Sequence, residues 1–434
     1  MLIKFWLHYK FKLLKECKDF VKIKGFLMIK TEYLNPELII KDKSILKLFK
    51  AVENNGGVLR FVGGAVRDVL AGKLQGFEID LATDLSPDEL VEACQEEGLK
   101  TVPIGLKYAT TGVVVGDKIV EVSHLRKTNT DYKFSSEFEF TDDWNADASK
   151  RDLTINAVYA DSKGNVFDYY NGIEDLENGV VKFIGKPQDR IKEEPIRIMR
   201  FFRFYSIFGK TEPDAKSLKA CVENKHLLKN VAIEQVRDEL FKIFLTDNIV
   251  TTLRYIFEND ILDYILPMNG NFEKLENLQQ VVKMCNLTPD FLRRLYILYQ
   301  PDETLAENLA ARLHLTKKQK YRLLNWSRFV FNESKVEDIN YLTKVCYLFD
   351  KDFCIDKVLF MAAENKKIDV LRTIENINNI QIPEFNIKGK DLINCGLTDY
   401  GKIREILETL EHNWIENNFA DTPDELLQKA KNLF

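Results

Sequence analysis

The sequence predicts an α+β protein: an N-terminal head with a mixed or antiparallel sheet and its helices, then an all-α neck, body and tail. Three observations carry this. Short strand-like stretches lie near the N-terminus, at Leu59–Val62, Phe77–Leu81 and Val113–Val122, and Phe77–Leu81 alternates apolar and acidic residues with a period of two. The C-terminal two thirds is instead rich in Leu, Ile, Lys, Glu and Asn at helical spacing. Glycine and proline are scarce, 20 and 11 in 434 residues, and no stretch has the composition of a flexible linker, so the domains are expected to pack end to end through helices. The expected divisions are a basic N-terminal extension over 1–30, the head over 31–165, the neck over 166–230, the body over 231–380 and the tail over 381–434.

Within the head, Leu59–Val62 reads as a short strand, and Gly63-Gly64 turns the chain tightly. Ala65–Leu70 reads as a helix that Gly72 ends. The amides at the start of that helix face the turn and favour an anion such as phosphate. Phe77–Leu81 follows as a strand with Glu78 and Asp80 on one face and Phe77, Ile79 and Leu81 on the other. A glycine pair alone is only a turn, and an acidic pair alone is a solvated face. Together, two carboxylates beside a phosphate-binding turn make a site for a divalent metal and a nucleotide. Val113–Val122 is a hairpin with Gly116-Asp117 as its two-residue turn. Glu121, near the end of its second strand, is either a third carboxylate of the acidic cluster or an exposed strand residue. His124–Trp144 is polar and unpatterned, and reads as a long loop.

In the neck, Pro195 suits the first turn of a helix starting near Glu194, with Ile198, Phe202 and Tyr205 as its buried stripe. Arg197 and Arg200 occupy a neighbouring face, with Arg203 further round. In the body, Ala232–Leu245 carries a core stripe of Val236, Leu240 and Ile243, with Arg237 and Lys242 as candidates to touch phosphate. Arg293, Arg294, Lys317, Lys318, Lys320, Arg322 and Arg328 form a candidate stripe for an RNA backbone.

The net charge of −5 and a pI of about 5.8 exclude a protein coated in basic charge but not a local basic stripe. The seven cysteines are odd in number, scattered and without a C-x-x-C, which predicts a reducing cytoplasm and neither disulfides nor structural zinc. No apolar run has the length of a transmembrane helix. The first 27 residues are basic and aromatic. They suit a membrane-surface helix, a targeting segment, or an upstream start before a natural Met28.

Gly63-Gly64-x-Val66-Arg67-Asp68, followed by Glu78-x-Asp80-Leu81-Ala82-Thr83, resembles the nucleotidyltransferase head of class II tRNA nucleotidyltransferases (CCA-adding enzymes) and bacterial poly(A) polymerases. Asp147–Ala157 resembles the R-R-D-x-T-I-N-A motif of that family, with Lys150 for the first arginine, and Glu194 to Arg197 resembles its E-D-x-x-R motif. The resemblance begins after Met28, which favours the upstream-start reading of the first residues. It implies a template-independent enzyme adding CCA, from CTP and ATP, to the 3′ end of tRNA, without DNA or membrane as partner.

The resemblance also implies roles. Glu78 and Asp80 hold Mg²⁺ as catalytic carboxylates, with Glu121 as the possible third. Gly63, Gly64, Arg67, Asp68, Arg151, Asp152, Asn156, Arg200 and Arg203 bind the nucleotide. Arg151 pairs with triphosphate oxygens in a forked geometry that lysine lacks, and Asp152 accepts from the ribose. Glu194 and Arg197 read the base edge in place of a template. The segment Arg126–Asp131 resembles the family's flexible loop. Four departures stand out: Glu78 and Glu194 where the family has aspartate, Lys150, and Tyr108-Ala109 in place of a histidine-glycine pair. They keep three rivals open: a poly(A) polymerase, an enzyme adding only part of CCA, and a catalytically weakened RNA-binding relative.

Overall fold

The computed structural model describes residues 33–40, 43–73, 78–104, 110–126 and 139–433, and the backbone of 20–23 and 26–29. Phe20–Ile23 (β1) and Phe26–Ile29 (β2) pair as an antiparallel hairpin, so these residues of the N-terminal extension are not helical. Phe77, Tyr108-Ala109 and residues 127–138 of the expected loop lie outside the described residues.

The head is a seven-stranded sheet. Its strands are β3 (Leu59–Val62), β4 (Asp80–Thr83), β5 (Lys100–Val102), β6 (Thr110–Val115), β7 (Lys118–His124), β8 (Val158–Ala160) and β9 (Val166–Asp168), in the spatial order β5-β6-β7-β4-β3-β8-β9. Neighbours are antiparallel except β4 and β7, so the sheet is mixed, as expected. The β6–β7 hairpin turns at Gly116-Asp117, where Gly116 takes φ +63° as a two-residue turn with glycine first requires. β9 carries the sheet three residues past the expected end of the head, so the all-α part begins after Asp168.

Two predicted strand and loop boundaries move. Regular pairing begins at Asp80, not Phe77, because Asp80 faces Val62, the last residue of β3 before the glycine turn. Glu78 and Ile79 therefore have no β3 partner. His124 belongs to β7 rather than to the loop, and it is buried. Its Nε2 lies 2.9 Å from Thr111 Oγ1, and its Nδ1 lies 2.7 Å from the Leu85 carbonyl oxygen.

One face of the sheet carries Phe61, which packs on Phe49 of α1 (Ile45–Asn54) with ring centroids 4.9 Å apart. The other face carries Val62 and Ala82 in a cluster with Leu125, Trp144, Ala148 and Tyr159. By strand alternation Asp80 and Glu121 share this second face with Val62 and Ala82. The face is covered by α4 (Trp144–Lys150), which follows α2 (Gly64–Leu70) and α3 (Pro87–Glu96) in the chain.

The helices α5 (Gly172–Asn178), α6 (Pro187–Glu193), α7 (Arg197–Phe208), α8 (Ala215–Asn224) and α9 (Ile233–Phe244) follow. α7 starts at Arg197, three residues later than expected. A residue before proline is driven out of the helical region, and Glu194 is accordingly extended, with φ −149° and ψ 94°. Pro195 and Ile196 then form a turn, in which the Arg197 N–H donates to the Glu194 carbonyl at 3.1 Å. Ile198, Phe202 and Tyr205 are buried as predicted. Residues up to Ile243, with 259–261, make one compact unit; residues 244–258 and 262–434 make a second.

The second unit is helical: α10 (Ile249–Glu258), α11 (Phe272–Met284), α12 (Phe291–Tyr299), α13 (Glu303–Arg312), α14 (Lys317–Arg328), α15 (Ile339–Leu348), α16 (Lys351–Ala363), α17 (Val370–Asn379), α18 (Gly389–Asn394), α19 (Ile403–Glu416) and α20 (Pro423–Lys431). Three members of the expected basic stripe are used internally. Arg293 and Arg322 both donate to the fully buried Asp356, and Arg294 donates to the Thr246 carbonyl at 2.7 Å from a buried position. A buried carboxylate draws arginines inward because neither charge can be left unpaired. Lys317, Lys318 and Lys320 of α14 remain exposed.

Burial lowers the pKa of His124. A base harder to protonate when folded contributes stability that is complete above its unfolded pKa, near 6.5, and is lost as pH falls below it. Urea unfolding of the wild type should therefore show a stability loss between pH 7 and 5 that is smaller in His124→Gln, by up to about 1.4 kcal/mol per pH unit. Equal slopes would remove His124 as the source.

Candidate active site

Gly63 follows β3 with φ +62° and ψ −117°, a conformation essentially confined to glycine. α2 runs from Gly64 to Leu70, and Gly72, with φ +78°, closes its C-terminus as predicted. There the Gly72 N–H donates to the Val69 carbonyl and the Lys73 N–H to the Asp68 carbonyl, at 2.9 and 2.7 Å. This turn forms one wall of an open cleft of about 830 Å³.

The cleft brings together nearly every predicted site residue. Gly63, Gly64, Arg67, Asp68, Glu78, Asp80, Arg151, Asp152, Asn156, Glu194, Arg197, Arg200 and Arg203 all line it. Glu121 does not line it, but its Cα is paired with that of Asp80 across β4 and β7, and the two side chains lie on one sheet face. Burial raises the Asp80 pKa, and the charges of Glu121 and Glu78 push the same way, against Arg151 and Arg67. Glu121 is thus an exposed strand residue whose charge reaches the cluster.

A hydrogen-bonded chain fixes the arginines. Arg67 is buried under Phe204 and Phe208, with its guanidinium carbon 4.7 and 5.0 Å from their ring centroids. Its Nε and Nη2 donate to Asp68 at 2.9 and 2.8 Å, and its Nη1 donates to Asn156 Oδ1 at 2.5 Å. Asn156 Nδ2 donates to Asp152 at 2.9 Å, as does the Leu153 N–H, and Arg200 Nε donates to the other Asp152 oxygen at 2.7 Å. Burial alone would raise the Asp152 pKa, but Arg200 and these hydrogen bonds outweigh it and hold the group below the ordinary carboxylate range. Three protein donors therefore occupy the carboxylate expected to meet a ribose, leaving it about one acceptor site.

Arg151 caps α4. Its Nε donates to the Tyr159 hydroxyl at 3.2 Å and its Nη2 to Asp147 at 3.3 Å. Arg197 donates through Nη1 to Glu193 at 2.8 Å and lies 3.2 Å through Nε from Glu194. Arg203 pairs with Glu239 of α9, which also holds Lys242 at 3.1 Å. Asp147, Tyr159, Glu239, Lys73 and Phe204 also shape the site, and the sequence assigns none of them a role. The spacing of Asp147 four residues before Arg151 was a usable signal; Tyr159, on the far side of the 3₁₀ turn at Thr154–Asn156, left none.

The head and the segment after the neck both match known families. A family model described as "Poly A polymerase head domain" matches residues 59–182, and another, "Probable RNA and SrmB- binding site of polymerase A", matches 212–269. The chain is 31% identical over 404 residues to the mitochondrial CCA tRNA nucleotidyltransferase 1 of Homo sapiens, covering 90% of this chain and 89% of that protein. The chain belongs to the CCA tRNA nucleotidyltransferase family. A bacterial member, the CCA-adding enzyme of Ligilactobacillus salivarius, is 27% identical, over 90% of this chain and 96% of its own. The family fold is also seen in the crystal structure of Bacillus stearothermophilus CCA-adding enzyme in complex with CTP, which aligns with a TM-score of 0.71 at 20% identity, covering 92% of this chain and 98% of that one.

At Gly63 a Cβ would stand 3.6 Å from Arg151 Nη1 on a backbone that side chains rarely adopt. Gly63→Ala should destabilise the protein by about 1–3 kcal/mol and raise the KM for nucleotide. Unchanged unfolding and KM would show that the turn relaxes freely.

Proposed function

We propose that the cleft binds CTP and ATP and adds their nucleotidyl groups to the 3′ end of tRNA, completing CCA without a template. The observation that carries this is the convergence of the acidic pair, the glycine turn and the base-reading arginine in one cleft. In each step a 3′-hydroxyl oxygen of the RNA attacks the α-phosphorus. The bond to the β-phosphate oxygen breaks, and pyrophosphate leaves.

The donor set suits Mg²⁺. Glu78 and Asp80 supply hard carboxylate oxygens; burial raises the Asp80 pKa and the charges of Glu121 and Glu78 add to it, and a divalent cation would offset both. Among the described residues no group of three or more His, Cys, Asp or Glu side chains forms a metal cage. Mg²⁺ is commonly held by one or two carboxylates, with substrate phosphates completing its shell. Glu78 and Asp80 would hold the metal, which when bound activates the attacking hydroxyl and neutralises charge on the phosphates.

The chain's own residues do the rest. Gly63 and Gly64 let the backbone approach the phosphates. Arg151, with Arg200 and Arg203 behind it, steadies the triphosphate. Arg67 and Asp68 brace the turn, and Asn156 and Asp152 tie it to α7. Arg197 donates to, and Glu194 accepts from, the Watson–Crick edge of C or A. Lys317, Lys318 and Lys320 are candidates for the RNA backbone.

No helix among the described residues is long and apolar enough to cross a membrane. We place the chain in the cytoplasm, whose reducing chemistry suits the scattered cysteines, unpaired among the described residues. A tagged full chain found in mitochondria would overturn this.

The activity is tested with tRNA transcripts ending before CCA, after C and after CC, offered CTP, ATP or both. Three additions that then stop are expected. An unending A ladder would instead mark a poly(A) polymerase, and addition of one nucleotide type a partial enzyme. Asp80→Ala should abolish addition while tRNA affinity, carried by phosphate contacts elsewhere, stays within about threefold. Retained addition would refute the metal assignment. Arg197→Ala should lower selectivity for CTP and ATP over UTP and GTP, and unchanged selectivity would reject base reading by that residue.

A further inference from the structure

Arg151 is held from two sides by groups to which no role has been given. Its Nε donates to the Tyr159 hydroxyl at 3.2 Å and its Nη2 to Asp147 at 3.3 Å. The triangle closes because the Tyr159 hydroxyl itself donates to the same Asp147 oxygen at 2.7 Å. Burial raises the Tyr159 pKa, so the phenol keeps the proton it donates. Tyr159 is in turn fixed by edge-to-face contacts with Trp144 and Tyr169, at 5.5 and 5.9 Å.

This leaves one nitrogen of the fork. Nη1 lies beside the Gly63 turn, 3.6 Å from where a Cβ would be, and makes no hydrogen bond among the described residues. A guanidinium loses less freedom on binding when its plane is already set. Two anchors define that plane, so Nη1 points where an incoming phosphate oxygen would lie.

We propose that Asp147 and Tyr159 are positioning residues that orient the Arg151 guanidinium, so that Nη1 meets the triphosphate over the Gly63-Gly64 turn. The proposal rests on the assignment of Arg151 to the triphosphate. Tyr159→Phe keeps the ring contacts but removes both hydrogen bonds of the hydroxyl. It should raise the KM for CTP and for ATP about tenfold, the worth of a hydrogen bond to a charged group, with kcat within about twofold. A merely structural tyrosine would instead lower the unfolding midpoint and the active fraction, leaving KM unchanged.

Arg151→Lys and the double variant complete a cycle. Lysine lacks the fork, so Tyr159→Phe should add less than about twofold in KM to Arg151→Lys. Effects that multiply would overturn the proposal, because Tyr159 would then act apart from Arg151. If Arg151→Lys raises KM and Tyr159→Phe does not, the positioning role fails and the triphosphate assignment stands. If Arg151→Lys leaves KM unchanged, the assignment itself fails, and the proposal with it. Should Tyr159→Phe not fold, Asp147→Asn provides the same reading: it keeps the shape, weakens the charged anchor, and should raise KM in the same direction.

Discussion

Asp152 sits buried where the head meets the arginine-rich helix, and its two oxygens join groups from two parts of the chain. One oxygen takes the Asn156 amide and the Leu153 N–H; the other takes Arg200. Through Asn156 the connection reaches Arg67, and through Arg67 it reaches Asp68 and the helix after the glycine turn. A buried carboxylate remains ionised only when donors replace its lost water, and here they are supplied by the site itself. The glycine turn and the arginine-rich helix therefore cannot shift independently without breaking the chain of hydrogen bonds through Asn156 and Asp152. That constraint gives a cleft made of loops and helix ends the definition of a rigid element.

The same pairing solves an electrostatic problem. Arg67, Arg151, Arg197, Arg200 and Arg203 converge on one cleft, and cations at such distances repel. Each has its own carboxylate: Asp68, Asp147, Glu193 with Glu194, Asp152 and Glu239. The site can thus gather the charge that a triphosphate demands within a chain of net charge −5. Its donors are oriented before the nucleotide arrives, and the cost of orienting them falls on folding rather than on the reaction.

What the sequence made legible follows from locality. The Leu59–Val62 strand, the closing role of Gly72 and the turn at Gly116-Asp117 depend on near neighbours, and each lies where the local rules put it. The boundaries that moved depend on distant partners. Asp80 starts its strand because Val62 ends the one beside it, and His124 is buried because Leu85 and Thr111 close over it. The start of α7 is the exception: the rule that a residue before proline leaves the helical region was available in the sequence, and it outweighs the preference of proline for a first turn. Arg293, Arg294 and Arg322 read as surface charge because nothing local marks Asp356 or the carbonyl of Thr246 as their destination.

The two glutamates that the sequence resemblance sets against aspartates fall at informative places. Asp80 lies within the sheet, paired on one side to Val62 and on the other to Glu121, and there the short side chain is kept. Glu78 precedes β4, beyond the end of β3, and Glu194 occupies the extended residue between α6 and the Pro195 turn. Neither sits in a regular element, and both still line the cleft. An added methylene on a strand held from both sides would displace the carboxylate by about an ångström, enough to cost on the order of a hundredfold in rate. On backbone outside a strand or helix, small changes of φ and ψ can draw the longer side chain back. The pattern therefore argues for an enzyme that accommodates its glutamates rather than for one losing its chemistry.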